Sequence, residues 1–388
     1  APAAGGGAAP SAGAQWQQIV EAAKKEGRVT VYGSVFSGAD GAKVAQEFEK
    51  QTGIELDFIN GLGAAMTQRI REETKADAPN RADVFEGSGP WVALLHREGF
   101  YTSLKGTPIP VLNEPASAWR IQPGHKNPEL DYVMSRLRPR EGQITINSRL
   151  IPVAEHPKTW NDLTTSPRFK GKLAMADPNG TGGVVYEWVM QGYVGKSVTL
   201  REWWSLYTQQ DPLLFPGPRD PMAAVGRNER GIAIGPADDA HLGAIEAGAP
   251  IKTMNFPEAP NHATTGEIAI LKQAKHPNAA KVFVNWFLSK EGQDYIGRLL
   301  KVESLRRDVP SYLAPALKGE VIGGGKRGPL NVETTKQAQL IADLQAAGIF
   351  QKLPKGISFE AFEKEYTAFM TDWEAKNGGP QDKPVPVP

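Results

Sequence analysis

Small and hydroxyl-bearing residues lie where predicted strands give way to helices. Ser34, Ser37 and Gly38 follow the first predicted strand, Ser88 follows a later one, and the loop 179–183, N-G-T-G-G, precedes a predicted helix. Glycine lets a backbone approach a ligand closely, hydroxyl groups are adaptable donors, and a helix N-terminus presents unpaired N–H groups with a partial positive charge. This pattern suits a carboxylate, phosphate or phosphonate ligand, with ordinary capped turns as the alternative.

Two arginines and two aspartates bear on the charge of such a ligand. The planar guanidinium of Arg138 or Arg140 could hold a carboxylate through two hydrogen bonds, and the alternative for either is a surface ion pair with Glu141. Asp238 and Asp239 favour a cation, such as an amine or a thiazolium, if both face the ligand. We predict an anionic ligand, and a cationic one stays open.

Aromatic residues could supply a wall beside the ligand. Trp91, Tyr186, Trp203 and Trp204 are candidates, and core packing is the alternative for each. The predicted ligand contacts are Ser34, Ser37, Gly38, Glu86, Ser88, Trp91, Arg138, Arg140, Gly180, Thr181, Gly182, Gly183, Tyr186, Asp238 and Asp239.

Motifs for catalysis and metal binding are missing from the sequence. It has no cysteine, no G-x-S-x-G, no H-E-x-x-H and no G-x-x-x-x-G-K-[ST]. Asp238, Asp239 and His241 form D-D-x-H, a spacing that permits metal ligation but more often marks a helix N-cap. We therefore expect no enzyme activity, no cofactor and no bound metal.

Composition sets the broad class. A chain of 388 residues with 40% hydrophobic content predicts two lobes with real cores. The 44 basic and 43 acidic residues are interspersed, which argues against binding to nucleic acid or anionic membranes. No apolar run approaches the roughly 18 residues that cross a bilayer. The first residues lack the pattern of an export signal, so we expect that signal to have been removed.

Strands and amphipathic helices alternate along the chain, as in sheets covered by helices on both faces. The predicted strands and extended segments are 29–32, 54–59, 83–85, 132–138, 143–147, 172–176, 231–235 and 268–271. The predicted helices are 16–26, 39–51, 64–75, 203–209, one after Pro90, one from Gly182 and one long helix beginning in H-P-N-A-A. The long helix is expected to bury Ala280, Phe283, Val284, Phe287 and Leu288.

The same pattern predicts the domain organisation. Residues 1–14 cannot bury enough apolar surface to offset the entropy of ordering, so we expect a flexible leader, either a disordered end or a spacer behind a lipid-anchored residue. The other predicted parts are a first lobe over 15–142 and 258–300, a second lobe over 143–257 and 301–377, and a loose tail over 378–388.

Residues from about 29 to 349 resemble the periplasmic ferric-ion-binding proteins of ABC importers and their organic-solute-binding relatives. The strings that carry the resemblance are, in order, V-T-V-Y-G-S, T-G-I-E-L, R-A-D-V-F, I-T-I-N-S-R-L, T-W-N-D-L, F-K-G-K-L-A-M-A-D-P, G-A-P-I-K and H-P-N-A-A-K-V-F-V-N-W-F-L-S-K-E-G-Q. The resemblance implies a two-lobed α/β fold of the type II periplasmic-binding class, with a mainly parallel sheet in each lobe and two hinge-crossing segments. It also places a guanidinium at Arg138 or Arg140 beside the cleft and lets the loop 179–183 contact a bound anion.

The iron ligands of the family are not matched. The family binds iron through a histidine after the first strand, a glutamate at the start of a following helix and two adjacent tyrosines. Here the loop after Tyr32 has no histidine, Ala64 replaces the glutamate, and residues 237–239 replace the tyrosine pair. Ferric iron needs anionic oxygen donors, so iron with atypical ligands becomes the alternative.

The resemblance implies capture of a small organic solute between two lobes and delivery to the permease of an ABC importer. Segments 144–147 and 255–258 are expected to act as hinges for ligand-driven closure. We expect a monomer in the periplasm or another extracytoplasmic space. The alternatives are a thiamine- or polyamine-like ligand, a receptor that signals to a sensor, and an enzyme on a similar fold, as in porphobilinogen deaminase.

Overall fold

The structure, a computed structural model, forms two compact units. Unit 1 comprises Ala1–Leu137, Thr265–Leu300 and Ser304–Ser311, and unit 2 comprises Arg138–Thr264, Lys301–Glu303 and Tyr312–Pro388. The residues that the structure describes are 11–34, 36, 38–78, 81–139, 144–178, 183–217, 219–235, 238–256, 262–312, 320–321, 331–378 and 385–386.

Helices and strands alternate through most of the chain. The helices are α1 (Ala12–Glu26), α2 (Gly38–Thr52), α3 (Gly63–Lys75), α4 (Gly89–Arg97), α5 (Trp160–Thr165), α6 (Gly183–Glu187), α7 (Leu200–Thr208), α8 (Asp220–Gly226), α9 (Asp238–Glu246), α10 (Pro277–Leu288), α11 (Lys290–Leu300), α12 (Thr335–Ala347) and α13 (Phe359–Asn377). The strands are β1 (Arg28–Gly33), β2 (Glu55–Asn60), β3 (Val84–Ser88), β4 (Val133–Pro139), β5 (Ile144–Asn147), β6 (Leu173–Ala176), β7 (Leu213–Phe215), β8 (Ile232–Ile234), β9 (Ile251–Asn255), β10 (His262–Ile270), β11 (Glu320–Val321), β12 (Asn331–Val332) and β13 (Val385–Pro386).

The sheet of unit 1 is mixed and has β1 between two parallel neighbours. β1 pairs in parallel with β2 and with β3. Beyond β3 lies antiparallel β10, with Gly266 opposite Ser88, and β4 pairs with β10. The chain passes from one unit to the other within β4, after Leu137, and within β10, after Thr264. The part of β10 that belongs to unit 2 pairs with β12, which pairs with β13.

Apolar side chains on one face of α10 anchor that helix in unit 1. Phe283 lies edge-on to Phe48 of α2, with ring centroids 5.3 Å apart. The predicted core positions are confirmed, because all of them are fully buried: Ala280, Phe283, Val284, Phe287 and Leu288.

The carboxylate of Glu26 stabilises the start of α10. It accepts hydrogen bonds from the backbone N–H groups of Asn278 (3.0 Å) and Ala279 (2.7 Å). Negative charge at a helix N-terminus is favourable, so α1 caps α10 across unit 1.

Unit 2 contains a second mixed sheet with the strand order β11-β9-β5-β8-β6-β7. β6 pairs in parallel with β7 and β8, whereas β5 runs antiparallel to β8 and β9. Large aromatic side chains fill the core beside it: the Trp160 and Phe256 rings are 5.4 Å apart, and those of Trp188 and Trp203 are 6.2 Å apart. The predicted fold class, an α/β chain of two parts with helix-flanked sheets, is confirmed.

The prediction of one long helix after residue 276 is wrong. α10 ends at Leu288, and Ser289 takes an extended conformation before α11 begins. The Ser289 hydroxyl donates to the carbonyl of Trp286 (2.8 Å) and accepts from the N–H of Gly292 (3.1 Å), so it closes one helix and caps the next. A Cβ at Gly292 would lie 1.9 Å from the Trp286 carbonyl oxygen, so the turn requires glycine there.

Two other parts of the chain also differ from expectation. α1 begins at Ala12, inside the predicted leader, because the Ser11 hydroxyl caps it by accepting from the N–H of Ala14 (3.3 Å). α12 and α13 fall in a region for which no helix was predicted. Within the described parts of the chain, no helix combines the length and the apolar character needed to cross a membrane.

Candidate functional site

The carboxyl ends of three strands lie side by side at one edge of the unit 1 sheet. Gly33, the last residue of β1, pairs with Asn60 of β2 and with Glu86 of β3. The N–H of Ser34 donates to the carbonyl of Glu86 (2.9 Å), which ties the first loop to β3. Because each strand leads into a helix, α2, α3 and α4 all begin at this edge, and we call it the carboxyl edge of unit 1.

α3 and α4 begin without a side-chain cap. Their N-cap residues are Leu62 and Ser88, and neither side chain accepts a hydrogen bond from the first helical turn. The first N–H groups of an α-helix have no acceptor inside the helix, and they carry a partial positive charge. The start of α3 can therefore donate to an anion. At the start of α4, Gly89 is buried and Pro90 has no N–H, so that helix offers fewer backbone donors.

Three polar side chains at the carboxyl edge make no hydrogen bond to any residue that the structure describes. They are the hydroxyls of Ser34 and Ser88 and the indole Nε1 of Trp91, and all three residues are partly exposed. The indole lies against Gly63, where an added Cβ would be 2.4 Å from Nε1. The Trp91 N–H is thus next to the start of α3. The sequence predicted all three residues as ligand contacts, and this remains a prediction.

Glycines near the first strand serve packing. A Cβ at Gly33 would lie 2.3 Å from the Phe58 ring, and one at Gly41 would lie 2.8 Å from it, so both glycines make room for that ring. Gly38, a predicted contact at the start of α2, has open space around its missing side chain. Sterics therefore do not require glycine at position 38.

Glu86 lies on β3 at the carboxyl edge but is fully buried. Its Oε1 accepts from the Ser135 hydroxyl (3.4 Å) and lies 3.8 Å from Nη2 of Arg136. The Arg136 guanidinium in turn lies over the Phe36 ring, 5.3 Å from its centroid. A Cβ at Gly266 would come within 2.8 Å of Arg136 Nε, so that glycine leaves room for the arginine.

Sequence reasoning missed Arg136. Its neighbours Arg138 and Arg140 were predicted instead, although alternation along a strand puts residues 136 and 138 on the same face. The signal that could have identified Arg136 is the buried carboxylate of Glu86, which needs a cationic partner.

A second buried ion pair joins Lys126 to β10. The Lys126 ammonium donates to Glu267 Oε1 (2.6 Å) and to the Thr265 hydroxyl (3.0 Å), and Thr265 also donates to Glu267. The side chains of Lys126 and Glu267 are 1% and 0% exposed. Opposite charges in contact satisfy each other in the low-dielectric interior, so this pair holds β10 in place.

In unit 2, the structure describes the region near α6 only in part. Gly183 is the first residue of α6, and Tyr186 is buried within the aromatic core, where its hydroxyl donates to Glu333 Oε2 (3.4 Å). Trp203 is likewise a core residue, and Trp204 Nε1 donates to the Ile357 carbonyl (2.8 Å). The predicted contacts Ser37, Arg140, Gly180, Thr181 and Gly182 lie outside the described residues.

For three further predicted contacts, the structure describes the backbone alone. Arg138 lies on β4, and Asp238 and Asp239 are the first residues of α9. Their roles toward a ligand stay predictions.

His241 of α9 has both ring nitrogens in hydrogen bonds. Nδ1 is 2.9 Å from the Thr145 hydroxyl, and Nε2 makes a short hydrogen bond with the Thr253 hydroxyl. These threonines form a cross-strand pair on β5 and β9. Burial lowers the pKa of His241 to about 4, because the protonated ring would lose its hydration. The ring is therefore a neutral core residue, engaged on both sides.

Within the described ranges, no group of three or more His, Cys, Asp or Glu side chains is arranged to hold a metal ion. At the carboxyl edge of unit 1, the hydroxyls, the indole N–H and the backbone amides can all donate a hydrogen bond.

Solved structures share this fold. Iron-bound HitA from Pseudomonas aeruginosa matches with a TM-score of 0.63 at 22% sequence identity, covering 82% of this chain and 98% of HitA. The periplasmic binding protein AfuA from Actinobacillus pleuropneumoniae, solved with fructose-6-phosphate, matches with a TM-score of 0.64 at 20% identity, covering 83% and 98% of the two chains. At such identities the likeness establishes the fold alone.

Sequence comparison supplies the family. An uncharacterized protein of Haemophilus influenzae is 30% identical over 149 residues, and the chain spans 40% of the length of this relative. The family model described as bacterial extracellular solute-binding protein matches residues 28–298, from the start of β1 to within α11. That match covers well over half of the sequence. The chain therefore belongs to the bacterial extracellular solute-binding protein family.

Proposed function

We propose that the chain is the solute-binding component of an ABC importer, which captures a small organic solute outside the cytoplasmic membrane and delivers it to a permease. The family match over residues 28–298 carries this proposal. The family is described by solute binding and not by turnover, which supports a transport role over an enzymatic one. Closure of two lobes around the solute stays a prediction from the sequence.

The carboxyl edge of unit 1 supports an anionic ligand. Its open groups are donors: the hydroxyls of Ser34 and Ser88, the indole N–H of Trp91 and the first amides of α3. The nearby carboxylate of Glu86 is buried and lies beside Arg136. Because the arginine balances its negative charge, Glu86 should repel a bound anion only weakly. A carboxylate, phosphate or phosphonate group would satisfy these donors.

A ligand screen tests the proposal. Native mass spectrometry of the protein as purified would identify a retained solute. Thermal unfolding with carboxylates, phosphate esters, phosphonates, ferric citrate, thiamine and spermidine would then rank the chemical classes. An organic anion at about 1,000 times its dissociation constant should add about 4 kcal/mol to the free energy of unfolding.

The same screen includes results that contradict the proposal. Stabilisation by ferric citrate but by none of the carboxylates, or by thiamine or spermidine alone, would overturn the anionic ligand. Chemical conversion of a bound solute, seen as a mass change after incubation, would overturn transport in favour of catalysis.

A further inference from the structure

Leu62 is an unusual residue for the place it occupies. The residue is 63% exposed, and it takes the N-cap position of α3. Its φ of −65° and ψ of 140° are close to those of Ser358, with φ −64° and ψ 154°, whose hydroxyl caps α13. The backbone conformation thus suits a capping residue, but the leucine side chain has no hydrogen-bond acceptor. Position 62 forgoes helix stabilisation and leaves apolar surface in water, and neither favours folding.

Leu62 and Trp91 both adjoin Gly63, the first residue of α3. The next helical residues, Ala64 and Ala65, are exposed, and the Trp91 ring covers Gly63, where an added Cβ would lie 2.2 Å from the ring. Trp91 is itself partly exposed, and its N–H borders the start of α3. The start of α3 therefore has an exposed leucine next to it in the chain and a partly exposed indole ring packed against its first residue. We call these two side chains the apolar wall.

We infer that the ligand carries a flat apolar or aromatic part beside its anionic group, as an aryl carboxylate or an aryl phosphate does, and that the apolar wall binds that part. The inference rests on the proposed function and narrows its ligand class. The anionic group accepts from the amides and hydroxyls, while the ring covers Leu62 and packs on Trp91, which removes apolar surface from water. A fully hydroxylated sugar phosphate would leave Leu62 with no apolar partner.

The inference can be tested with pairs of ligands that share an anionic group and differ in whether an aryl ring or a hydroxylated carbon chain is attached to it. The pairs are phenyl phosphate against fructose-6-phosphate and benzoate against gluconate, with inorganic phosphate and ferric citrate as references. Isothermal titration calorimetry of the whole chain should show that each aryl probe binds about 10-fold tighter than its hydroxylated counterpart.

Leu62→Ser separates a binding role from a structural one. The serine can cap α3, so the melting temperature should rise by about 2 to 4 °C while aryl-phosphate affinity falls about 10-fold. Trp91→Ala should lower the same affinity, and a melting curve reports whether that variant still folds. Val153→Ser is the matched control, because Val153 is 62% exposed at a different place, in unit 2. It should leave every affinity unchanged.

The outcomes distinguish this inference from the proposed function. If hydroxylated anions bind as tightly as aryl anions, the binding role of the apolar wall is refuted. The same holds if Leu62→Ser leaves the ratio of the two affinities unchanged. In either case the proposed capture of an anion is unaffected. If no organic anion binds and ferric citrate does, both are refuted. Loss of the aryl preference in Leu62→Ser, with retained binding of the hydroxylated probes, supports the inference.

Discussion

Helix starts in this chain fall into two groups. Away from the carboxyl edge of unit 1, several begin with a side chain that accepts from the first turn; these caps are Ser11 for α1, Thr159 for α5, Thr199 for α7, Thr334 for α12 and Ser358 for α13. At that edge, α3 and α4 begin at Leu62 and Ser88 without such a cap. α8, with Arg219 at its N-cap, also begins without one. The contrast therefore lies between the five capped starts and the two at the carboxyl edge, where strand ends converge.

Several buried polar groups in both units have hydrogen-bond or ion-pair partners, as the capped helix starts do. Lys126 and Glu267 satisfy each other, Glu86 lies between Ser135 and Arg136, and the ring of His241 in unit 2 lies between two threonines. Buried polar groups must be paired, because an unsatisfied one costs more than a pair gains. Substitution of a polar group that has a partner in the structure should therefore lower stability. Substitution of a donor at the carboxyl edge that has none should instead lower ligand affinity.

The largest effect is expected at the buried ion pair. Lys126→Met leaves Glu267 buried without its cation, and the free energy of unfolding should fall by about 3 to 5 kcal/mol. Lys105→Met is the matched control, since Lys105 pairs with Glu129 at the same 2.6 Å but with both side chains more than half exposed. Its cost should be below about 1 kcal/mol. Urea denaturation measures both, and equal losses would contradict the distinction between buried and exposed pairs.

The next effect is a pH dependence from His241. Its pKa is lowered to about 4 in the folded protein, against about 6.5 when unfolded. The unfolded chain therefore binds more protons between these values, and stability falls as pH falls from about 6.5 toward about 4, by up to about 3 kcal/mol. Urea midpoints across this range should fall less steeply for His241→Gln. Parallel curves for the two proteins would exclude His241 as the cause.

The next prediction concerns α10, whose first N–H groups donate to Glu26 of α1. Glu26→Ala removes this cap. It removes the acceptor of the N–H groups of Asn278 and Ala279 and the negative charge at the start of α10, so stability should fall by about 2 kcal/mol. Glu21→Ala, an exposed position on α1, should change it by less than about 0.5 kcal/mol. Thermal and urea unfolding check both values. An unchanged free energy of unfolding in Glu26→Ala would show that water replaces the Glu26 carboxylate at no cost.

Much of the fold could be predicted from sequence, because hydrophobic periodicity reports which face a helix or strand buries. The strands of unit 1 and the buried face of α10 are examples. The prediction missed the break at Ser289, since apolar spacing continues through it while one hydroxyl ends α10 and caps α11. It also missed the start of β10 at His262, because the residues between the predicted hinge at 255–258 and Ile268 are mostly polar and show no strand pattern.

The candidate site could be predicted less completely. Ser34 and Ser88 were predicted because strand ends and helix starts mark the carboxyl edge, and Trp91 was predicted as part of an aromatic wall. Their contact with a ligand stays a prediction. The partners of buried charges were not found, because Lys126 and Glu267 are 141 residues apart and nothing local links them. The exposure of Leu62 was not predicted either, since a lone leucine before a helix is usually assigned to the core.

The smallest effect gives the most direct test of the comparison, because the same substitution is made at two N-cap serines. The Ser358 hydroxyl accepts from the N–H of Ala361 (3.2 Å), whereas that of Ser88 caps nothing. Ser358→Ala should lower the free energy of unfolding by about 1 kcal/mol and leave ligand affinity unchanged. Ser88→Ala should leave stability within about 0.5 kcal/mol and weaken anion binding by about 3- to 10-fold, the loss of one hydrogen bond. Thermal unfolding with and without phenyl phosphate measures both quantities. Equal stability losses in the two variants would mean that Ser88 caps α4 in solution, and the carboxyl edge would then lose one of its open donors.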